Sequence, residues 1–134
     1  MSYLSIGSFD IADSLDKTIF TLYTVLRQHN AEKAEILKQR VCKNTRDKEK
    51  LIRIYIKELT AFIPPFTYVG HAPNDESNWG VWVDLGKLSL AAENGQIIQA
   101  DKKPTKGRSK YVLLQEDGRL CLFQRRGWIE VWKV

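Results

Sequence analysis

The spacing of hydrophobic positions changes once along the chain, at Pro64-Pro65. Before the prolines, apolar residues recur every three to four positions; after them the spacing is mostly two. The first half therefore predicts helices and the second half strands.

Leu15, Ile19, Leu22 and Leu26 share one helical face, with Tyr23 beside them, which predicts a helix from about Ser14 to Gln28. Asp13 is the expected N-cap and Asp16 adds negative charge to the first turn. The pair His29-Asn30 ends this helix. A second helix is expected over about Ala31 to Val41, with Ala34, Leu37 and Val41 on one side. The widest apolar stripe belongs to a third, from about Arg46 to Ile63, where Ile52, Tyr55, Ile56, Leu59, Phe62 and Ile63 line up. Asn44 or Thr45 can cap it, and two successive prolines forbid its continuation.

Beyond the prolines, "FTYVG" and "WGVWV" read as strands. Asp84 caps a short helix containing Leu85, Leu88 and Ala92, and Asn94-Gly95 supplies its left-handed stop. "QIIQA" is a further strand. "KYVLLQ", Asp117-Gly118 and "RLCLFQ" form the clearest hairpin, because Asp-Gly suits a type I′ turn. Arg126-Gly127 turns the chain into "WIEVWKV", completing an antiparallel meander. "YVLL" and "LCLF" are apolar on both faces, so those strands should be central, with helices covering one face. In the last strand Trp128, Glu130, Trp132 and Val134 should share one face and Ile129, Val131 and Lys133 the other; if that strand lies at the sheet edge it can pair with a partner or with its own copy.

The expected fold is α+β: an N-terminal layer of two to three helices packed on a mostly antiparallel sheet of five to six strands, with one short inserted helix. The 134 residues are expected to form a single domain, with a helical half over 1–64 and a sheet half over 65–134.

Composition narrows the function classes. The hydrophobic fraction of 43% and the charged fraction of 28% are those of a globular chain. No apolar run reaches the roughly 18 residues that span a bilayer. "MSYLSIGSFDIADS" lacks the basic and continuous apolar segments of a secretory signal, so a cytoplasmic location and no membrane partner are expected. Cys42 and Cys121 stand far apart without metal-ligand spacing, which predicts reduced thiols and no metal or other cofactor. A compact, basic, motif-free chain of this kind is also typical of phage and mobile elements.

The net charge of +5 favours acidic partners. Its organisation is more telling than its size. Arg46, Lys50, Arg53 and Lys57, at spacings of four, three and four, form a straight stripe opposite the apolar face of the third helix. Read without a ligand, the stripe is a solvated face with Glu49 and Arg53 as an i,i+4 pair. In "KKPTKGRSK", Lys102, Lys103, Lys106, Arg108 and Lys110 crowd a flexible hairpin tip without an acid among them, and Arg125 and Arg126 occupy a second turn. Five like charges repel one another, so an acidic partner is the functional expectation and solubility the bland one.

A second candidate is "YVGHAPNDESNWGVW", residues 68 to 82. Tyr68, His71, Asn74, Asp75, Glu76 and Trp79 suggest an adaptable polar loop of about nine residues flanked by aromatic contact area, as recognition surfaces use. His71 with Asp75 and Glu76 could also serve acid/base chemistry in a hydrolase-like site. Turn chemistry alone explains most of the string, and no nucleophile elbow, phosphate loop or metalloprotease motif accompanies it. The sequence thus favours a non-catalytic binding protein acting through protein contacts as adaptor, inhibitor or regulator. The alternatives are a nucleic-acid-associated protein that grips phosphates without reading bases and, behind it, the hydrolase-like enzyme.

Overall fold

A computed structural model describes residues 3–134. The fold is α+β, as the change of period predicts, with four helices among the described residues; in place of the one expected sheet of five to six strands, seven strands form two separate sheets, one of the seven lying before the first helix, where hydrophobic spacing marks none. In chain order these are β1 (Gly7–Ile11), α1 (Leu15–His29), α2 (Ala31–Lys38), α3 (Thr45–Thr60), β2 (Thr67–Ala72), β3 (Asp75–Val83), α4 (Leu85–Glu93), β4 (Ile97–Ala100), β5 (Tyr111–Glu116), β6 (Arg119–Gln124) and β7 (Ile129–Lys133). The chain divides into two compact units: one from the N-terminus to Ile63 together with Tyr68–Trp82, the other Pro64–Thr67 with Val83–Val134.

The first unit holds α1, α2, α3 and a sheet of order β1-β3-β2. Its helix starts follow from local chemistry. Ser14, not Asp13, caps α1, accepting from Lys17 N at 3.2 Å, while Asp13 pairs with Lys17 Nζ at 2.9 Å. Asn30 and Asn44 cap α2 and α3 by accepting from Lys33 N and Asp47 N. The apolar faces converge on one core: Leu22 and Leu26 of α1, Leu37 of α2, Tyr55 and Leu59 of α3, Val69 of β2 and Val81 of β3 are all buried. Burying each such side chain contributes roughly 1.5–3 kcal/mol.

Strand β1 precedes the first expected element, and hydrophobic spacing does not announce it. It pairs antiparallel with β3, but the register slips between Ser8 and Asp10, and that irregularity destroys the period of two. The pairing depends on Gly80. A Cβ there would lie 2.1 Å from the Gly7 carbonyl oxygen, so the two backbones approach only because β3 has no side chain at this point.

The second unit holds α4 and a sheet of order β4-β5-β6-β7. Asp84 caps α4, as the sequence suggests, accepting from Lys87 N at 3.0 Å. The expected meander is present: β5 pairs antiparallel with β6, and β6 with β7. Asp117 (φ 53°) and Gly118 (φ 74°) form the first turn with both residues left-handed, the type I′ requirement. The apolar strands β5 and β6 are the central pair. Val112, Leu114, Cys121 and Phe123 are buried together, and Leu113 and Leu122 between them are buried too.

Two expectations fail in this unit. First, β4 pairs parallel with β5, so residues 101–110 are a crossover connection rather than a hairpin tip. Second, a register slip between Leu122 and Phe123 sets Trp132 opposite Leu122 but Glu130 opposite Phe123, so the two no longer share a face. Trp132 is buried and donates Nε1–H to Pro65 O at 2.9 Å. Trp128 leaves the strand with φ 52° and meets the Phe123 ring edge-on at 6.3 Å.

Candidate polyanion-binding surface

The stretch from Asp101 to Lys110 has to travel back along the sheet before β5 can start beside β4. It carries no helix to do so, and its own basic side chains tie it down. Lys103 Nζ stands 4.8 Å from the Phe123 ring centre and 5.4 Å from that of Trp128; Lys110 Nζ stands 5.4 Å from that of Tyr111. Each cation–aromatic interaction is worth about 0.5–1 kcal/mol at an exposed site. Arg125, half-buried in the turn after β6, lies against the crossover: a Cβ on Gly107, whose φ is 141°, would fall 2.1 Å from Arg125 Nη1. Gly107 is the residue that lets the guanidinium pass under the loop.

The arrangement leaves Lys102, Lys103, Lys106, Arg108 and Lys110 exposed, with Arg126 exposed on the neighbouring turn. Among the described residues, none of these six makes an ion pair with a carboxylate. Arg125 differs from its sequence reading as a free surface cation: it is half-buried, with its guanidinium against Gly107. The second unit contains ten Lys and Arg against six Asp and Glu, so it holds most of the chain's positive excess. A cluster of ammonium and guanidinium groups without carboxylate partners can bind phosphates by charge rather than by reading base edges; of the rings beside it Tyr111 and Trp128 are half-buried and Phe123 is buried.

Arg46, Lys50, Arg53 and Lys57 lie on α3 of the first unit, and all four are exposed. The expected Glu49–Arg53 pair does not form, and no carboxylate among the described residues pairs with any of the four. They form a second cationic stripe on a separate unit.

The stretch from Tyr68 to Trp82 is not a nine-residue loop. β2 runs to Ala72 and β3 starts at Asp75, so Pro73 and Asn74 alone connect them. The polar run Asp75 to Asn78 is strand, because β1 pairs with it: Ala12 N donates to Ser77 O at 2.7 Å and Asn78 faces Ile11. Four of the six residues singled out here have local partners. Tyr68 donates its hydroxyl to His71 O at 3.1 Å. The His71 ring is exposed, with Nδ1 2.9 Å from Ala72 O and the Trp79 ring edge-on at 6.2 Å. Asp75 Oδ1 accepts from Ser77 N and Ser77 Oγ, at 3.0 and 2.7 Å, and these two bonds hold its carboxyl below the usual carboxylate range. Asn74 and Glu76 are exposed, and Trp79 packs against the core of the first unit. No hydrogen bond or ion pair joins the imidazole to either carboxylate. No group of three metal-ligating side chains occurs among the described residues. No helix among them is long and apolar enough to cross a membrane.

Tyr111, Phe123 and Trp128 carry no local signal in the sequence that marks them as part of this surface, since Lys103 meets Phe123 and Trp128 only through the crossover and the turn after β6. No protein-family model, curated protein or solved structure matches the chain.

Proposed function

We propose that the protein is a non-catalytic binding protein whose second unit grips a polyanion, the phosphate backbone of nucleic acid, without reading its sequence. The observation that carries this reading is the crossover between β4 and β5. Five exposed cations, without acidic partners among the described residues, lie on this connection, where Lys103 stands over Phe123 and Trp128 and Lys110 over Tyr111. Charges that folding does not use are the ones free to meet phosphates.

The test is Lys102→Ala, Lys106→Ala and Arg108→Ala in one chain, leaving Lys103 over its rings. Binding to two unrelated duplexes and one single strand is measured at several salt concentrations. The unmodified protein should bind all three and lose affinity linearly in log salt. The triple variant should weaken every complex alike and flatten the duplex slope by up to about 0.9 for each phosphate it no longer neutralises. Its melting temperature should stay within about 2 °C, as expected for exposed side chains away from packing. No binding at low salt by the unmodified protein removes the reading.

A second reading, a protein partner or a second copy of this chain, is favoured by one observation. β7 is an outer strand of its sheet, and Ile129 at its start and Val134 just after it are 59% and 51% exposed. An apolar outer strand is a template for strand addition. Ile129→Lys should abolish any concentration-dependent self-association seen by light scattering, and its persistence would exclude that edge.

A further inference from the structure

In the first unit, α1, the end of α2 with the connection to α3, and α3 border an open concave pocket of about 300 Å³. Tyr55 lines it. This side chain is wholly buried, yet its hydroxyl has no hydrogen-bond partner among the described residues. Its neighbours are already engaged: Tyr23 donates its hydroxyl to Glu35, whose carboxylate also meets Arg27 Nε at 3.7 Å. A buried hydroxyl left unpaired is costly, and a native chain that keeps one has a use for it or fills it from outside.

The rim of the same pocket is cationic. Lys38 stands over the Tyr23 ring at 5.0 Å, Arg40 is exposed, and Lys48 is held at 3.0 Å from Asp16, the one acid lining the pocket among the described residues. Ile19 and Leu51 form apolar wall, and Phe20, 68% exposed, stands at the mouth. A buried donor, three cations and an apolar wall suit a ligand with an acidic head and an apolar body. The volume is at the small end of ligand pockets, which admits a body about the size of one ring with a short chain.

We propose that this pocket is a binding site for a small organic acid, with its carboxylate taken by the Tyr55 hydroxyl and the Lys38, Arg40 and Lys48 cations. Burial, first, and then the nearby Tyr23, Glu35 and Cys42 groups push the Tyr55 hydroxyl up to about 12, so it remains a donor at neutral pH. The site lies wholly in the first unit and does not depend on the basic surface of the second.

Cys42 makes the site testable, since it lines the pocket and is half-buried, whereas Cys121 is fully buried and unreactive. The full chain is treated with iodoacetamide while 4-phenylbutyrate, octanoate or indole-3-acetate is titrated up to its solubility limit, with 4-phenylbutyramide as the neutral control. At least one acid should slow Cys42 alkylation saturably, and its amide should be at least about tenfold weaker, the value of one hydrogen bond to a charged group. Tyr55→Phe should weaken the acid by a similar factor without lowering the melting temperature, and Lys48→Met should weaken it independently. Equal protection by acid and amide, no protection by any of the acids, or unchanged affinity in both variants overturns the proposal.

Discussion

Tyr55→Phe removes one oxygen atom from the most enclosed aromatic of the first unit. Most buried Tyr→Phe changes destabilise, because they leave a former partner unpaired. Here no partner is left behind: the hydroxyl is buried and bonds to none of the described residues. Its removal relieves the desolvation penalty of an unmade hydrogen bond, about 1–3 kcal/mol, against a small loss of packing where the oxygen stood. The expected outcome is a gain of roughly 1 kcal/mol, or a few degrees in melting temperature for a chain of this length. The alkaline limb gives an independent check of sign. The folded chain holds the Tyr55 proton up to about 12, whereas an unfolded tyrosine releases it near 10.0. Ionisation therefore favours the unfolded state through that window: Tyr55 leaves stability unaffected below about pH 10 and lowers it between pH 10 and 12. Tyr55→Phe lacks this component, so its advantage should widen as pH rises through the window. Urea denaturation of both chains at about pH 7, 10 and 11 measures the difference, with the lysine titration common to both. A variant less stable than the parent by about 1 kcal/mol or more at neutral pH would show that the hydroxyl is paired in solution and would refute the reasoning.

Leu59→Ala should cost about 2–5 kcal/mol by urea denaturation, because Leu59 is fully buried in the core of the first unit and its truncation leaves a cavity. His71→Ala should change stability by less than about 1 kcal/mol, since the ring is exposed, with Nδ1 near Ala72 O and the Trp79 ring beside it. Gly80→Ala should destabilise by more than about 2 kcal/mol and release the β1 amides to hydrogen exchange, because the new methyl would meet backbone at 2.1 Å and backbone cannot step aside. Unchanged β1 protection in that variant would show that β1 pairs with β3 differently.

Where one local rule governs, the sequence alone determined the outcome. The stripe from Ile52 to Leu59 made α3, Asn44 and Asp84 capped their helices, and Asp117-Gly118 set the type I′ turn, each through spacing or backbone preference within a few residues. The cations at 102–110 were legible too, as a run of like charges with no acid among them. Tertiary structure decided whatever depends on which strand lies beside which. The polar run from Asp75 to Asn78 is extended because β1 pairs with it, and β1 itself was hidden by a slipped register. The parallel pairing of β4 with β5 turned a supposed hairpin tip into a crossover lying beside Phe123 and Trp128. A single register slip in β6–β7 set Trp132 apart from Glu130. Tyr55 reads in sequence as one more member of an apolar stripe, and only the packing of three helical segments leaves its hydroxyl buried without a partner among the described residues. Backbone hydrogen bonds between strands and the pairing of buried polar groups are satisfied across long sequence separations, so they are properties of the folded chain and leave no period in its sequence.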